Sequence, residues 1–229
     1  KDAALMERSA PAALVLKGGA PRRSAADSGS YRKTGELLAE AIHDCSLLMI
    51  DEGAEADKDR LDARRKELRS TLAKARTAAA QAPELVPFAK RIGEIRDRAR
   101  KDGSEKLALA IHETYAAAVK TLDEKAGQTQ VFKAAFGFWI TAVIFRCDLT
   151  RQVWSNREAR VKLLEGTQEM AEPAIVFYEG LEEHAGADRK TLKRFEESIE
   201  RLRAPAGEIG RLELESVMHA LVDVRNDLL

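Results

Sequence analysis

Cysteine is scarce in this chain: Cys45 and Cys147 are the only two in 229 residues, and no Cys-x-x-Cys pair occurs. That excludes a disulfide framework and a cysteine-built zinc site. Each falls at or beside an apolar helical position, so both are expected to be buried free thiols in a reducing compartment; one bridge between them is the only pairing left open. Net charge is missing too. The 38 Lys and Arg balance 38 Asp and Glu, which removes any global pull toward nucleic acid or an anionic membrane. Aromatics make up 5% of the chain, too few and too clustered for a stacking surface that would take single-stranded nucleic acid. No run alternates polar and β-branched apolar residues, so essentially no sheet is expected.

Catalytic signatures are equally thin. There is no Gly-x-Ser-x-Gly, and Lys17-Gly18-Gly19 lacks both the Gly-Lys-Ser/Thr and the preceding strand of a phosphate loop. His43-Asp44 has the residue types of metal-dependent phosphohydrolases, but that chemistry needs an upstream histidine and none precedes residue 43. Glu179, Glu182, Glu197 and Glu200 form two Glu-x-x-Glu pairs able to gather Mg²⁺, yet no basic clamp for a phosphate accompanies them, and a solvated acidic face is expected. His112 lies beside an apolar seam as a partly buried histidine would, and His184 sits at a helix end, where an imidazole meets the last carbonyls.

Helix is what the sequence has in quantity. With 45% apolar and 33% charged residues the composition is that of a globular chain. Leu37, Leu38, Ala41, Ile42, Cys45, Leu48 and Met49 recur every three or four residues, predicting a helix from the Ser28/Ser30 cap region to near Gly53. A second helix with the thin seam Leu61, Leu68, Leu72, Ala75 and Ala79 must stop where Pro83 and Pro87 break it. A third is expected from about Phe88 to Lys101, and Ser104 is the cap candidate of a fourth that ends at Gly127. The fifth should run from a Thr129 cap to about Glu165, with Gly166 as its stop. Thr167, or Glu172 with Pro173, opens a sixth; Asp188 caps a seventh bearing Leu192, Phe195, Ile199 and Leu202; the last carries Leu214, Val217, Leu221, Val224 and Leu228. The expected fold is therefore all-α: an antiparallel helical bundle of about six to eight helices, some long and paired in coiled-coil fashion, over residues 31–229, with residues 1–30 as an extended arm or linker.

The fifth helix holds the most informative stretch, VFKAAFGFWITAVIF at 131–145, with five aromatics and a single charge, Lys133. Fifteen residues fall short of the roughly 20 needed to span a bilayer. On a helix, Phe132, Phe136, Trp139 and Val143 make one apolar stripe, while Phe138, Ala142, Phe145 and Leu149 make a second. A helix apolar on both sides must be covered nearly all round. Either the chain covers both stripes, or one is left for a partner, in which case Phe132, Phe138, Trp139, Phe145 and Trp154 are the partner-binding candidates.

Charge is unevenly spread: Asp57 to Lys106 holds fifteen Lys/Arg against nine Asp/Glu, and Glu158 to the end holds ten against sixteen. Attraction within the fold accounts for this most simply, with a basic patch for an anionic partner as the sharper reading. A metal centre is the one competing chemistry. Glu40 and His43 have Glu-x-x-His spacing with Glu36 one turn earlier, and Glu215, His219 and Asp223 follow at four-residue intervals on the last helix; six such ligands would suit a carboxylate-bridged site, although a di-iron bundle needs a second Glu-x-x-His pair. The leading expectation is a non-enzymatic interaction domain without cofactor. Its partner would be another protein or a second copy, with no transmembrane span and no nucleic acid. The chain is taken as a piece of a larger bacterial protein, such as a secreted effector or a sensor, soluble in the cytoplasm or in a host cell.

Overall fold

The computed structural model describes residues 28–171 and 173–228. The arm expected over residues 1–30 lies almost wholly outside the described residues, and so does Glu172. Among those described there are nine helices and no strand: α1 Ser28–Gly53, α2 Lys58–Ala80, α3 Val86–Arg98, α4 Ser104–Lys125, α5 Gln128–Gln152, α6 Arg157–Ala171, α7 Ala174–His184, α8 Arg189–Leu202 and α9 Arg211–Asp227. The all-α expectation holds. There is one helix more than the upper expectation because the long fifth helix is in fact two. The helices gather into two compact units, and the division falls inside α5, between Phe138 and Trp139.

In the unit that ends at Phe138, α1 packs on α2 and α4, and α3 packs on α2 and α4. The α1–α2 pair is antiparallel, because partners on α2 descend as those on α1 ascend. Ser30 reaches Gln81 at 3.4 Å, Thr71 donates to Asp44 at 2.7 Å, and Arg64 donates to Asp51 at 3.1 Å. Between these polar contacts Leu37, Leu38, Ala41, Cys45 and Leu48 of α1, and Leu68, Leu72, Ala75 and Ala79 of α2, are buried as their periodicity predicts. Ser30 is thus a first-turn contact with α2 and not a cap. Pro87 stands in the first turn of α3, where a missing N–H leaves no bond unmade, so α3 begins at Val86 instead of after the proline. Ser104 is likewise not a cap: Gly103 holds that position, and the Ser104 hydroxyl donates to Glu52 at 2.6 Å. Since Glu52 also receives Arg65 at 2.9 Å, one carboxylate ties the end of α1 to α2 and α4.

Helix α1 and the start of α5 approach closely in this unit. A Cβ added at Gly35 would overlap the Ala134 carbonyl oxygen and lie 3.0 Å from the Phe138 nitrogen, and one added at Gly137 would lie 2.6 Å from the Arg32 carbonyl oxygen. Two glycines inside helices cost about 1 kcal/mol each relative to alanine in helix propensity. Here they let two backbones touch. Near this crossing the Tyr115 ring of α4 stacks on Phe138 with centroids 3.7 Å apart, and its buried hydroxyl has no hydrogen-bond partner. Burial accordingly pushes the phenol well above its ordinary pKa. Tyr115→Phe keeps the stack and removes an unsatisfied polar atom, so it should stabilise the unit by about 1 kcal/mol, seen as a higher urea midpoint; a lower midpoint would show that the hydroxyl has a use.

In the unit from Trp139 onward, α8 packs on α6, α7 and α9. Trp139 anchors it, stacked on Phe177 at 4.8 Å and edge-on to Phe195 at 5.8 Å, with its indole N–H donating to the Met170 carbonyl at 2.6 Å. Asp188 caps α8 as expected, accepting from the Lys190 and Thr191 amides at 2.8 and 2.9 Å. The predicted helix 129–165 breaks at residues 153–156. Asn156 supplies the reason, its side chain accepting the Ala159 amide at 3.2 Å and so starting α6 afresh. Thr129, expected as a cap, lies within α5. Gly166, expected as a stop, lies in mid-helix, where a Cβ would collide with the buried guanidinium of Arg146, which donates to the Leu163 carbonyl at 3.2 Å. Thr167 is also interior, bonding the Leu163 carbonyl at 2.7 Å. Helix α5 is long and apolar enough to cross a membrane, and 78% of its apolar window is buried within the protein, as in a core helix.

Candidate partner-binding surface

The two stripes of α5 differ in how fully they are covered. Phe132, Phe136, Trp139 and Val143 are all 3% exposed or less, so the first stripe is closed. On the second, Phe138 and Leu149 are 1% and 4% exposed, while Ala142 and Phe145 between them remain partly open. Of the five partner-binding candidates, Phe132, Phe138 and Trp139 are therefore core residues. Their rings stack on Phe136, Tyr115 and Phe177 respectively. Phe145 and Trp154 keep solvent-facing surface.

Trp154 sits in the tight connection between α5 and α6. The amides of Val153, Trp154 and Asn156 bond the carbonyls of Leu149, Arg151 and Val153 at 3.1, 3.4 and 2.8 Å, which fixes the turn. Arg160, one turn into α6, returns over it: its guanidinium carbon lies 4.7 Å from the centre of the Trp154 ring and its Nη1 donates to the Trp154 carbonyl at 3.2 Å. The ring is thus held from one side by a cation–π contact and a hydrogen bond made by the same side chain. Beside it, Asp148 accepts from Arg151 at 2.7 Å and from Gln152 at 2.6 Å. Arg160 was not identifiable from the sequence, because its role depends on the chain reversing at 153–156. The Ser155-Asn156 cap signal followed by Arg157-Glu158 was the available clue.

Three of the six metal-ligand candidates stand in ion pairs. Glu36 is buried between Arg32 at 3.1 Å and Lys33 at 3.2 Å; Glu40 and His43 are partly buried on the same helix. Glu215 pairs with Arg211 at 3.4 Å, Asp223 with Arg194 at 3.7 Å, and His219 is exposed. Among the described residues, no three His, Cys, Asp or Glu side chains come close enough to hold a metal ion. Both thiols are free and buried, and burial raises their pKa values, that of Cys147 to about 12, which makes them poor nucleophiles. Burial lowers the pKa of His112, against the pull of Glu113.

Two further buried charges, Asp44 and Asp51, belong to the α1–α2 seam. Burial alone would raise the Asp51 carboxyl, but hydrogen bonds and charge from Arg60 and Arg64, at 2.5 and 3.1 Å, hold it below the ordinary carboxylate value. Asp44 is the opposite case. Burial pushes it up to about 6, outweighing the Thr71 hydrogen bond, and Glu67 and Glu40 push the same way while Arg64 opposes them. Comparison with protein-family models, with curated proteins and with solved structures finds no match to this chain.

Proposed function

We propose that this chain is a non-enzymatic helical interaction domain that binds another protein, or a second copy of itself, through the surface formed by Ala142, Phe145 and Trp154. The observation that carries this is Trp154: a large aromatic left partly in solvent, yet fixed by Arg160 and by the hydrogen bonds of its turn. Tryptophan and arginine are enriched among the residues that dominate binding energy. A side chain already held in one conformation also loses less entropy when a partner covers it. The half-open second stripe of α5 extends the surface with apolar area. On this reading the chain is a piece of a larger bacterial protein, a secreted effector or a sensor, and its long α1–α2 pair, seamed in coiled-coil fashion, is a scaffold.

Affinity capture from extracts of the source organism, or of its host, tests the reading. Trp154→Ala should weaken the captured complex by about 2 kcal/mol or more, roughly thirtyfold, while leaving the melting temperature within a few degrees. A partner held equally by the wild type and Trp154→Ala would place the interaction elsewhere.

A further inference from the structure

The reading above leaves the nature of the partner open, and the donor and acceptor inventory around Trp154 narrows it. The local carboxylates are already engaged: Asp148 with Arg151 and Gln152, and Glu158 with Lys162 at 2.9 Å. The donors are not. Among the described residues no carboxylate pairs with Arg160 or with the exposed Arg157, and the indole N–H of Trp154 meets no acceptor. Arg160 uses one N–H on the Trp154 carbonyl, and the remaining N–H groups of its fork are available. Neither arginine has an acidic residue four positions away on α6: position 161 is Val and position 164 is Leu, while on the N-terminal side Arg157 has Val153 and Arg160 has Asn156. The charges left unpaired in the first turn of α6, Arg157 and Arg160, are therefore both positive.

We infer that the occupant of this surface is an acidic segment of another protein, which places carboxylates on Arg157 and Arg160, an acceptor on the Trp154 N–H and an apolar side chain on Phe145. This rests on the surface proposed above and adds the chemistry of its ligand. Carboxylates suit a guanidinium fork bidentately. A tryptophan N–H that becomes buried normally acquires an acceptor. Covering the ring with a neutral apolar segment would instead strand that N–H, together with the donors of Arg160.

The test uses the full chain and two synthetic amphipathic peptides, one of Leu and Glu and the other identical except that Gln replaces every Glu. Trp139 is buried and internally bonded, so an emission change on titration reports Trp154. The Glu peptide should bind at least about tenfold more tightly than the Gln peptide, and Arg157→Gln, at an exposed position, should reduce that preference about tenfold. Arg160→Lys, which keeps the charge and loses the planar fork, should weaken binding as well. Equal binding of the two peptides would overturn the inference, and so would tighter binding of a single-stranded oligonucleotide than of the Glu peptide. If neither peptide binds but sedimentation shows a dimer lost in Trp154→Ala, the acidic partner is wrong and the surface stands, with a second copy as its occupant. If the peptides do not bind, Trp154→Ala changes no assembly, and no partner is lost with it, both readings fall.

Discussion

Replacing Gly35 or Gly137 by alanine is expected to destabilise the unit ending at Phe138 by about 3 kcal/mol per substitution, with the double variant failing to fold. The sign is what makes this informative. At an ordinary helical position Gly→Ala gains up to about 1 kcal/mol, because alanine is the better helix former and restricts the unfolded chain. At these two positions the new methyl meets backbone atoms of the facing helix: Ala134 and Phe138 for Gly35, Arg32 for Gly137. Backbone cannot turn aside as a flexible side chain can, so α1 and α5 must separate and lose the packing of the closed stripe around Phe132 and Phe136. Gly53 supplies the control, since nothing lies within 4 Å of a Cβ built there and its φ is not positive. Gly53→Ala should be neutral or stabilising. Urea midpoints followed by far-UV circular dichroism would check all three; a neutral Gly35→Ala would mean that the two helices do not cross as described.

Asp44→Asn should stabilise the same unit at pH 8 by up to roughly 3 kcal/mol and give almost nothing at pH 4. Asp44 is 6% exposed, and its carboxyl is pushed up to about 6 by burial, with Glu67 and Glu40 adding to the effect and Arg64 and the Thr71 hydroxyl opposing it. In the unfolded chain an aspartate titrates near 3.9. Between these two values the folded state holds a proton that the unfolded state has released. Acid therefore stabilises the fold through this group, and that stability is lost as pH rises through about 6. Asparagine cannot ionise, yet it still accepts the Thr71 hydrogen bond. The wild type should thus lose stability between about pH 4 and 6 while Asp44→Asn stays flat across that window. Parallel pH profiles for the two proteins would show that Asp44 ionises without penalty.

The contrast between these two features shows what was legible in the sequence. Among the described residues the helices, most of their buried stripes and the absence of strand followed from spacing alone, because a 3.6-residue period is a local property. Pro87, Ser104 and Gly166 were each taken as punctuation, and each has a different role for a reason found on another segment. Pro87 is tolerated in a first turn, Ser104 is claimed by Glu52 of α1, and Gly166 makes room for the Arg146 guanidinium. The candidate surface was partly legible. Phe145 and Trp154 were among the aromatics set apart at the outset, but burial separates them from Phe132, Phe138 and Trp139, and burial depends on which helix covers which stripe. Arg160 could not be placed beside Trp154 without knowing that the chain turns at 153–156 and that Asn156 starts the next helix.

The most direct measurement of the central claim, that Trp139 is closed within the fold and Trp154 is open for a partner, is acrylamide quenching of tryptophan emission in the wild type and in Trp154→Phe, free and with a captured partner. The free wild type should show one quenchable and one protected population, Trp154→Phe only the protected one, and the complex should protect both. A quenchable population that survives in Trp154→Phe, or one that the partner leaves unchanged in the wild type, would contradict the account.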